Sequence, residues 1–332
     1  MLDAQFQTLD LPTFRPRWPW WGADLQTMRC VLVKSRAPLD RYRQERLLIP
    51  MNDGSGDTLA AMLGRPRADA SRPLVVLIHG LTGLENSFYM RESAAFFLSQ
   101  GFPVLRLNLR GVGRSRPLCA AQYHAGSSDD LARVFAALPN DLVARGMAAV
   151  GFSLGGNLLL KYLGERGAEA RLKAAAVVSA PLDLAATARR LDRWRNDFYQ
   201  RYLLSYMKAD AVAPGAVLTH REREDILKAR SVWEFDHVYS APRAGFNGAA
   251  EYYQRSSSGQ FLPGIAVPTL LLHARDDPWV PSEPYDAVAW NRHPYLRPVL
   301  TARGGHVGYH GHGDVAWHDL AIARFFAALS PA

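Results

Sequence analysis

The chain has 332 residues, of which 48 % are hydrophobic and 21 % charged, and it carries a net charge of +8. That length and mix suffice to bury a sizeable core, and they exclude a disordered, collagen-like or coiled-coil chain. No 18 apolar residues run uninterrupted, which speaks against a membrane-spanning helix.

The first 40 residues hold Pro12, Pro16, Pro19, Trp18, Trp20 and Trp21 and read as an irregular arm laid over the main body. Residues 1–21 lack the apolar stretch of a signal peptide, so a cytoplasmic location is expected. Residues 47–51 and 58–63 read as two strands flanking a turn rich in Asn, Asp and Gly. Short apolar runs then follow at 74–78, 104–109, 148–151, 174–179, 269–273 and 298–301. Such runs fit strands buried on both faces of a parallel sheet. Helical spacing falls between them at 86–100, at 127–138 with a capping-box-like Ser127 and Asp130, at 154–163 ending on Gly164, and at 315–329. Strand–helix alternation predicts an α/β fold, a mostly parallel central sheet flanked by helices. One segment, 183–262, breaks the rhythm. It is helical in flavour and dense in aromatics, and it predicts a cap inserted in a single domain over the sheet edge where ligands bind.

The strongest local motif is Gly151-Phe152-Ser153-Leu154-Gly155, followed by Gly156-Asn157. It is G-x-S-x-G between an apolar strand and an amphipathic helix. A glycine-rich turn with a capping serine would look the same locally, but that flanking context favours a nucleophile. The tight turn needs small residues on both sides, and the helix N-terminus aims free N–H groups at a developing oxyanion. Ser153 needs a base. His306 lies in Arg303-Gly304-Gly305-His306-Val307-Gly308, a loop after the last strand. An acid should follow an earlier strand, where Asp276 and Asp277 both stand, and Asp277 is the favoured of the two. The loop His79-Gly80-Leu81-Thr82-Gly83 follows the strand 74–78. The backbone N–H groups of Leu81 and Leu154 are the expected oxyanion donors.

Other chemistries find no support. His306, His310 and His312 lack an H-E-x-x-H helix, and the surrounding glycines deny them a rigid platform, so no metal is expected. Gly111-Val112-Gly113 has no third glycine at dinucleotide spacing and no phosphate-binding loop exists, so no cofactor is expected. Cys30 and Cys119 read as two free thiols. The arginines cluster only around Arg41, Arg43 and Arg46 and from Arg189 to Arg195, too thinly for a nucleic-acid interface. The basic balance leaves room for transient contact with a membrane surface.

The sequence resembles the α/β-hydrolase superfamily, and within it the YheT-like branch, related to abhydrolase-domain acylglycerol and phospholipid lipases. The resemblance spans nearly the whole chain. It is carried by residues 22–27 (Gly-Ala-Asp-Leu-Gln-Thr), 79–83, 151–157 and 304–308, and by Trp233-Glu234-Phe235-Asp236 through Ala241-Pro242, Gly245-Phe246 and Tyr252-Tyr253. Ala23-Asp24 departs from the Asn/Gly-His pair of that branch, which leaves the arm's role open. The resemblance implies hydrolysis of a small-molecule carboxylic ester, lipid-like and of short to medium acyl length. A thioesterase, amidase or perhydrolase would use the same side chains, and a non-catalytic binding protein could keep the fold. Eight aromatics, Trp194, Phe198, Tyr199, Tyr202, Trp233, Phe235, Phe246 and Tyr252, are expected to line an acyl pocket under the cap.

Overall fold

The computed structural model describes residues 9–68, 72–214 and 216–329, so residues 1–8 of the expected arm lie outside the described residues. Eight strands follow in chain order: β1 (Arg43–Pro50), β2 (Thr58–Arg65), β3 (Leu74–Ile78), β4 (Val104–Leu107), β5 (Met147–Phe152), β6 (Ala174–Val178), β7 (Thr269–Ala274) and β8 (Leu296–Thr301). They form one sheet in the order β1-β2-β4-β3-β5-β6-β7-β8. β1 and β2 are an antiparallel hairpin, from Arg43 opposite Arg65 to Pro50 opposite Thr58. β2 also meets β4 antiparallel, and every later pairing is parallel.

Every residue of β3, β5, β6 and β7 is buried, as apolar runs without alternation require. The helices Ser128–Ala137 and Leu154–Arg166 pack a core on one face of the sheet, around Leu131, Phe135, Leu159 and Leu163. Phe88–Ser99 and Trp317–Ala328 pack the other, around Phe97, Ile322 and Phe325.

The structure corrects three local expectations. Ser127 does not cap its helix. Its Oγ accepts the His124 N–H, and Asp130 instead binds Arg110, which also gathers Asp53 and Asp57 from the hairpin turn. The helix after Ser153 does not stop at Gly164 but runs to Arg166, with the left-handed Gly167 (φ 52°) at its end. Gly164 lies where a Cβ would collide with the Phe261 carbonyl, so the glycine allows close packing rather than ending the helix. The arm, finally, is not irregular throughout, because Ala23–Leu32 is a helix.

Between β6 and β7 the chain runs through the helices Leu184–Leu191, Asp197–Ala211, His220–Lys228, Val232–Phe235 and Ala249–Ser256, with a π-turn at Asp236–Ser240. Asp183 caps the first through the Ala186 N–H, and Thr219 with Glu222 closes a capping box on the third. Leu203, Leu204, Met207, Ile226 and Phe235 form an apolar cluster of their own, against which Met28 of the arm, Leu81 and Trp279 pack. No helix among the described residues is long and apolar enough to cross a membrane.

Candidate active site

β5 ends at Phe152, and the next residue, Ser153, has φ 51° and ψ −121°. A non-glycine residue holds such a backbone only where its surroundings enforce it. Here the glycines do so by close approach. A Cβ on Gly151 would meet the Gly155 carbonyl at 2.6 Å, and one on Gly80 would meet the Ser153 Cβ at 2.9 Å. The helix Leu154–Arg166 starts immediately afterwards, so its positive end faces the space around the Ser153 Oγ.

Three side chains then join in a line. The Ser153 hydroxyl donates to His306 Nε2 at 2.9 Å, and His306 Nδ1–H donates to Asp277 Oδ2 at 2.8 Å. The second oxygen of Asp277 accepts the N–H groups of Trp279 (2.8 Å) and Val280 (3.0 Å). Burial alone would raise the Asp277 carboxyl, but the charge and hydrogen bond of His306 outweigh it and hold the group below its ordinary range. An ionised carboxylate there fixes the imidazole tautomer with Nε2 free to accept a proton. Trp279 stacks on the His306 ring at 4.4 Å.

The His306 loop is held from three directions. Asp276 accepts the Gly305 N–H at 2.9 Å, Thr27 Oγ1 accepts the His306 N–H at 2.8 Å, and Ser179 Oγ accepts the Val307 N–H at 3.1 Å. Gln26 fixes the next turn, accepting from the His310 N–H at 2.7 Å and donating to the His310 carbonyl at 3.0 Å. Asp276, the less favoured of the two candidate acids, thus braces the His306 loop. Thr27, Gln26 and Ser179 were not singled out from the sequence. The only signal for the first two was their place in the 22–27 stretch of the resemblance.

The loop 79–83 packs against this line. His79 is buried and pushed down to about 4 by burial, so it is neutral. Its Nδ1–H donates to the Gly80 carbonyl and its Nε2 accepts the Leu109 N–H at 3.1 Å. Tyr89 accepts the Gly80 N–H and Tyr123 the Thr82 N–H. Between those two, the Leu81 N–H has no partner among the described residues, and neither has the Leu154 N–H.

Ser153 and His306 open into a cavity of about 420 Å³. Leu81, Leu154, Leu184, Leu203, Met207 and Val232 give it apolar walls, while Arg116, Gln122, Asp210 and Asp236 add polar groups. Of the eight aromatics expected there, Phe235 and Tyr252 line the cavity, together with Tyr239 and Tyr253, which were not expected. Trp194 and Phe198 are exposed instead, because they stand on the outer side of their turn and helix. Tyr199 packs on Trp279, Tyr202 on Tyr206, Trp233 on Tyr253 and Phe246 on Tyr252.

The three histidines near residue 310 do not converge. His310 is buried between Arg29 and Cys30, pushed down to about 2 first by burial and then by Arg29, while His312 is exposed. No three His, Cys, Asp or Glu side chains gather into a metal site among the described residues. Cys30 and Cys119 are free thiols.

A family profile of the α/β-hydrolase fold matches residues 73–312, which hold Ser153, Asp277 and His306. The chain belongs to the α/β-hydrolase family. Its YheT-like branch is shown by the YheT protein of Escherichia coli, 31 % identical over 93 % of this chain and 92 % of that protein. The medium-chain fatty acid ethyl ester synthase/esterase 2 of Saccharomyces cerevisiae is 33 % identical over 76 % of this chain, which spans 62 % of the yeast protein's length. The mouse phospholipase ABHD3 is 30 % identical over 90 % of this chain and 73 % of its own. Among solved structures, an esterase of Pyrococcus furiosus shares the fold with a TM-score of 0.54 at 16 % identity, over 90 % of this chain and 91 % of that one. In this hydrolase, then, the elbow, the loop 79–83 and the His306 loop all lie at one end of the parallel strands, at the mouth of an apolar cavity.

Proposed function

We propose that this hydrolase cleaves carboxylic esters of short to medium acyl chains through an acyl-enzyme on Ser153. The observation that carries the reading is the unbroken line from Ser153 Oγ through His306 to the buried Asp277, opening into an apolar cavity. The esterase and lipase names of its relatives support the reaction class. As Ser153 Oγ attacks the ester carbonyl, its proton passes to His306 Nε2, and Asp277 stabilises the imidazolium. The carbonyl electron pair moves onto oxygen, where the N–H groups of Leu81 and Leu154 receive it. Collapse of this intermediate expels the alcohol, which takes the proton from His306. Water then repeats the sequence against the acyl-enzyme and releases the acid. Side chains, backbone N–H groups and water handle every proton and electron pair in these steps.

The segment 183–262 acts as a cap in this reading, its Leu184, Leu203, Met207 and Phe235 closing the acyl side of the cavity. Each methylene buried there should add about 0.8 kcal/mol of binding. A series of p-nitrophenyl esters from acetate to palmitate, run with the wild type and with Ser153→Ala, tests both claims. Catalytic efficiency should rise from acetate to medium chains, then fall as the cavity fills, and Ser153→Ala should abolish turnover while remaining folded. Hydrolysis retained in Ser153→Ala removes Ser153 from the mechanism, and a strict preference for acetate removes the apolar acyl site.

A further inference from the structure

We propose that the outer face of the helix Asp197–Ala211 is a docking surface for a bilayer that carries anionic lipid. Trp194, Phe198, Tyr202 and Tyr206 recur every fourth residue from the turn Trp194–Asn196 into that helix, a spacing that puts them on one stripe. Trp194 is 90 % exposed, Phe198 60 % and Tyr206 49 %. Tyr202 lies half-buried against the Tyr206 ring at 4.9 Å. One position along, Tyr199, Leu203 and Met207 point inward, and the last two line the cavity over Ser153. A single helix therefore separates the aromatic stripe from the cavity. The arm extends the stripe at its start. Asp24 binds both Arg195 and Tyr199 at 2.8 Å, which brings the exposed Trp21 and Leu25 to the same end.

Charge selects the occupant. Between residues 189 and 201 stand five arginines against two aspartates. The side chains of the exposed Arg189 and Arg193 make no ion pair or hydrogen bond among the described residues. Trp and Tyr, apolar rings with a polar tip, settle at the headgroup boundary, and nearby arginines favour anionic lipid. Large apolar rings left in water on a monomer mark such an interaction site. The lipid-ester reading enters only in what docking would deliver to the cavity, since the surface itself does not depend on Ser153.

The test is sedimentation of the full chain with large vesicles of phosphatidylcholine, with and without about one-third phosphatidylglycerol, for the wild type and for Trp194→Ser/Phe198→Ser. The wild type should bind the mixed vesicles, bind pure phosphatidylcholine more weakly, and lose affinity as salt rises. The double variant, changed only at exposed positions, should keep its Tm and its turnover of soluble p-nitrophenyl butyrate. Its vesicle partitioning should fall about tenfold or more. Its hydrolysis of an ester dispersed in those vesicles should fall in parallel. A wild type that stays in the supernatant, or a double variant that binds as well as the wild type, overturns the proposal. A variant that loses only self-association assigns the stripe to a second copy of the chain and overturns it equally. Absence of butyrate hydrolysis in the wild type would instead strike the ester-hydrolase reading, leaving the sedimentation result to decide docking.

Discussion

Thr27→Val probes whether the arm belongs to the active site. Valine matches threonine in shape but cannot accept the His306 N–H, now 2.8 Å from Thr27 Oγ1. That N–H is buried, and stranding it costs about 1–3 kcal/mol. Gly304 and Gly305 have no side chains to help, and the neighbouring N–H groups rest on Asp276 at Gly305 and on Ser179 at Val307. If the whole cost falls on the Ser153–His306 geometry, kcat drops about 5- to 150-fold, at 1.36 kcal/mol per tenfold. If it falls on global stability instead, Tm drops by roughly 1–2 °C per kcal/mol for a chain of this length. We expect mainly the first, since the lost bond restrains one loop rather than the core. Thr27→Ser, which keeps the hydroxyl, should stay close to the wild type. The assay is p-nitrophenyl ester turnover alongside thermal unfolding for the three proteins. A Thr27→Val variant with both wild-type kcat and wild-type Tm would refute the reasoning.

Asp277→Asn should cut kcat on the order of 10³- to 10⁴-fold, because an amide favours the wrong tautomer of His306. Asp276→Asn should cost about tenfold or less, because its amide oxygen still accepts the Gly305 N–H; the opposite ranking in the same assay would exchange their roles. Gly155→Ala should fail to fold or lose all activity, since its Cβ would collide with the His79 carbonyl, and soluble yield with circular dichroism reads this out. Asp319 is buried beside His318, with Ser93 and Glu92 nearby, and burial pushes its carboxyl up to about 8. The folded state then holds a proton that the unfolded chain gives up near its ordinary value, so this group's contribution falls as pH rises from about 4 to about 8. Asp319→Asn should therefore gain Tm relative to the wild type between pH 5 and 9, and a Tm difference that stays constant over that range would reject the assignment.

How much of this was legible in the sequence follows from how local each feature is. β3, β5, β6 and β7 are buried on both faces, so their apolar runs announce them without alternation. The turn at Ser153 is local at Gly151, where a Cβ would meet the Gly155 carbonyl, whereas the crowding at Gly155 comes from the Ile78 and His79 carbonyls at the end of β3. Asp276 and Asp277 are neighbours in one turn, and only the backbone direction decides which carboxylate meets His306 Nδ1 and which meets the Gly305 N–H. Ser127 and Asp130 carried a capping pattern, yet Arg110, with three carboxylates to collect, claimed Asp130 across 20 residues of sequence. The facing of the aromatics was hidden for a similar reason. Composition says that the segment 183–262 is aromatic-rich, but a rotation of 100° about the helix axis separates the exposed Phe198 from the buried Tyr199.

The arm was the least legible part, and the glycines of the His306 loop explain why it matters. The loop that brings His306 over the sheet edge runs through left-handed backbone at Gly305 (φ 61°) and Val307 (φ 57°). Such a loop has few side chains of its own with which to fix its shape. Its restraint must come from outside, and three consecutive N–H groups each find an oxygen on a different element, at the end of β7, in the arm helix and just past β6. The Gln26 and Thr27 that serve the loop sit nearly 280 residues away from it in sequence, where no periodicity or spacing could link them to His306. The same helix turns Asp24 toward Arg195 and Tyr199, so one short segment couples the position of His306 to the helix that walls the cavity. Asp24 thus stands at the point where the arm meets that helix, and Gln26 and Thr27 of the arm helix hold the His306 loop.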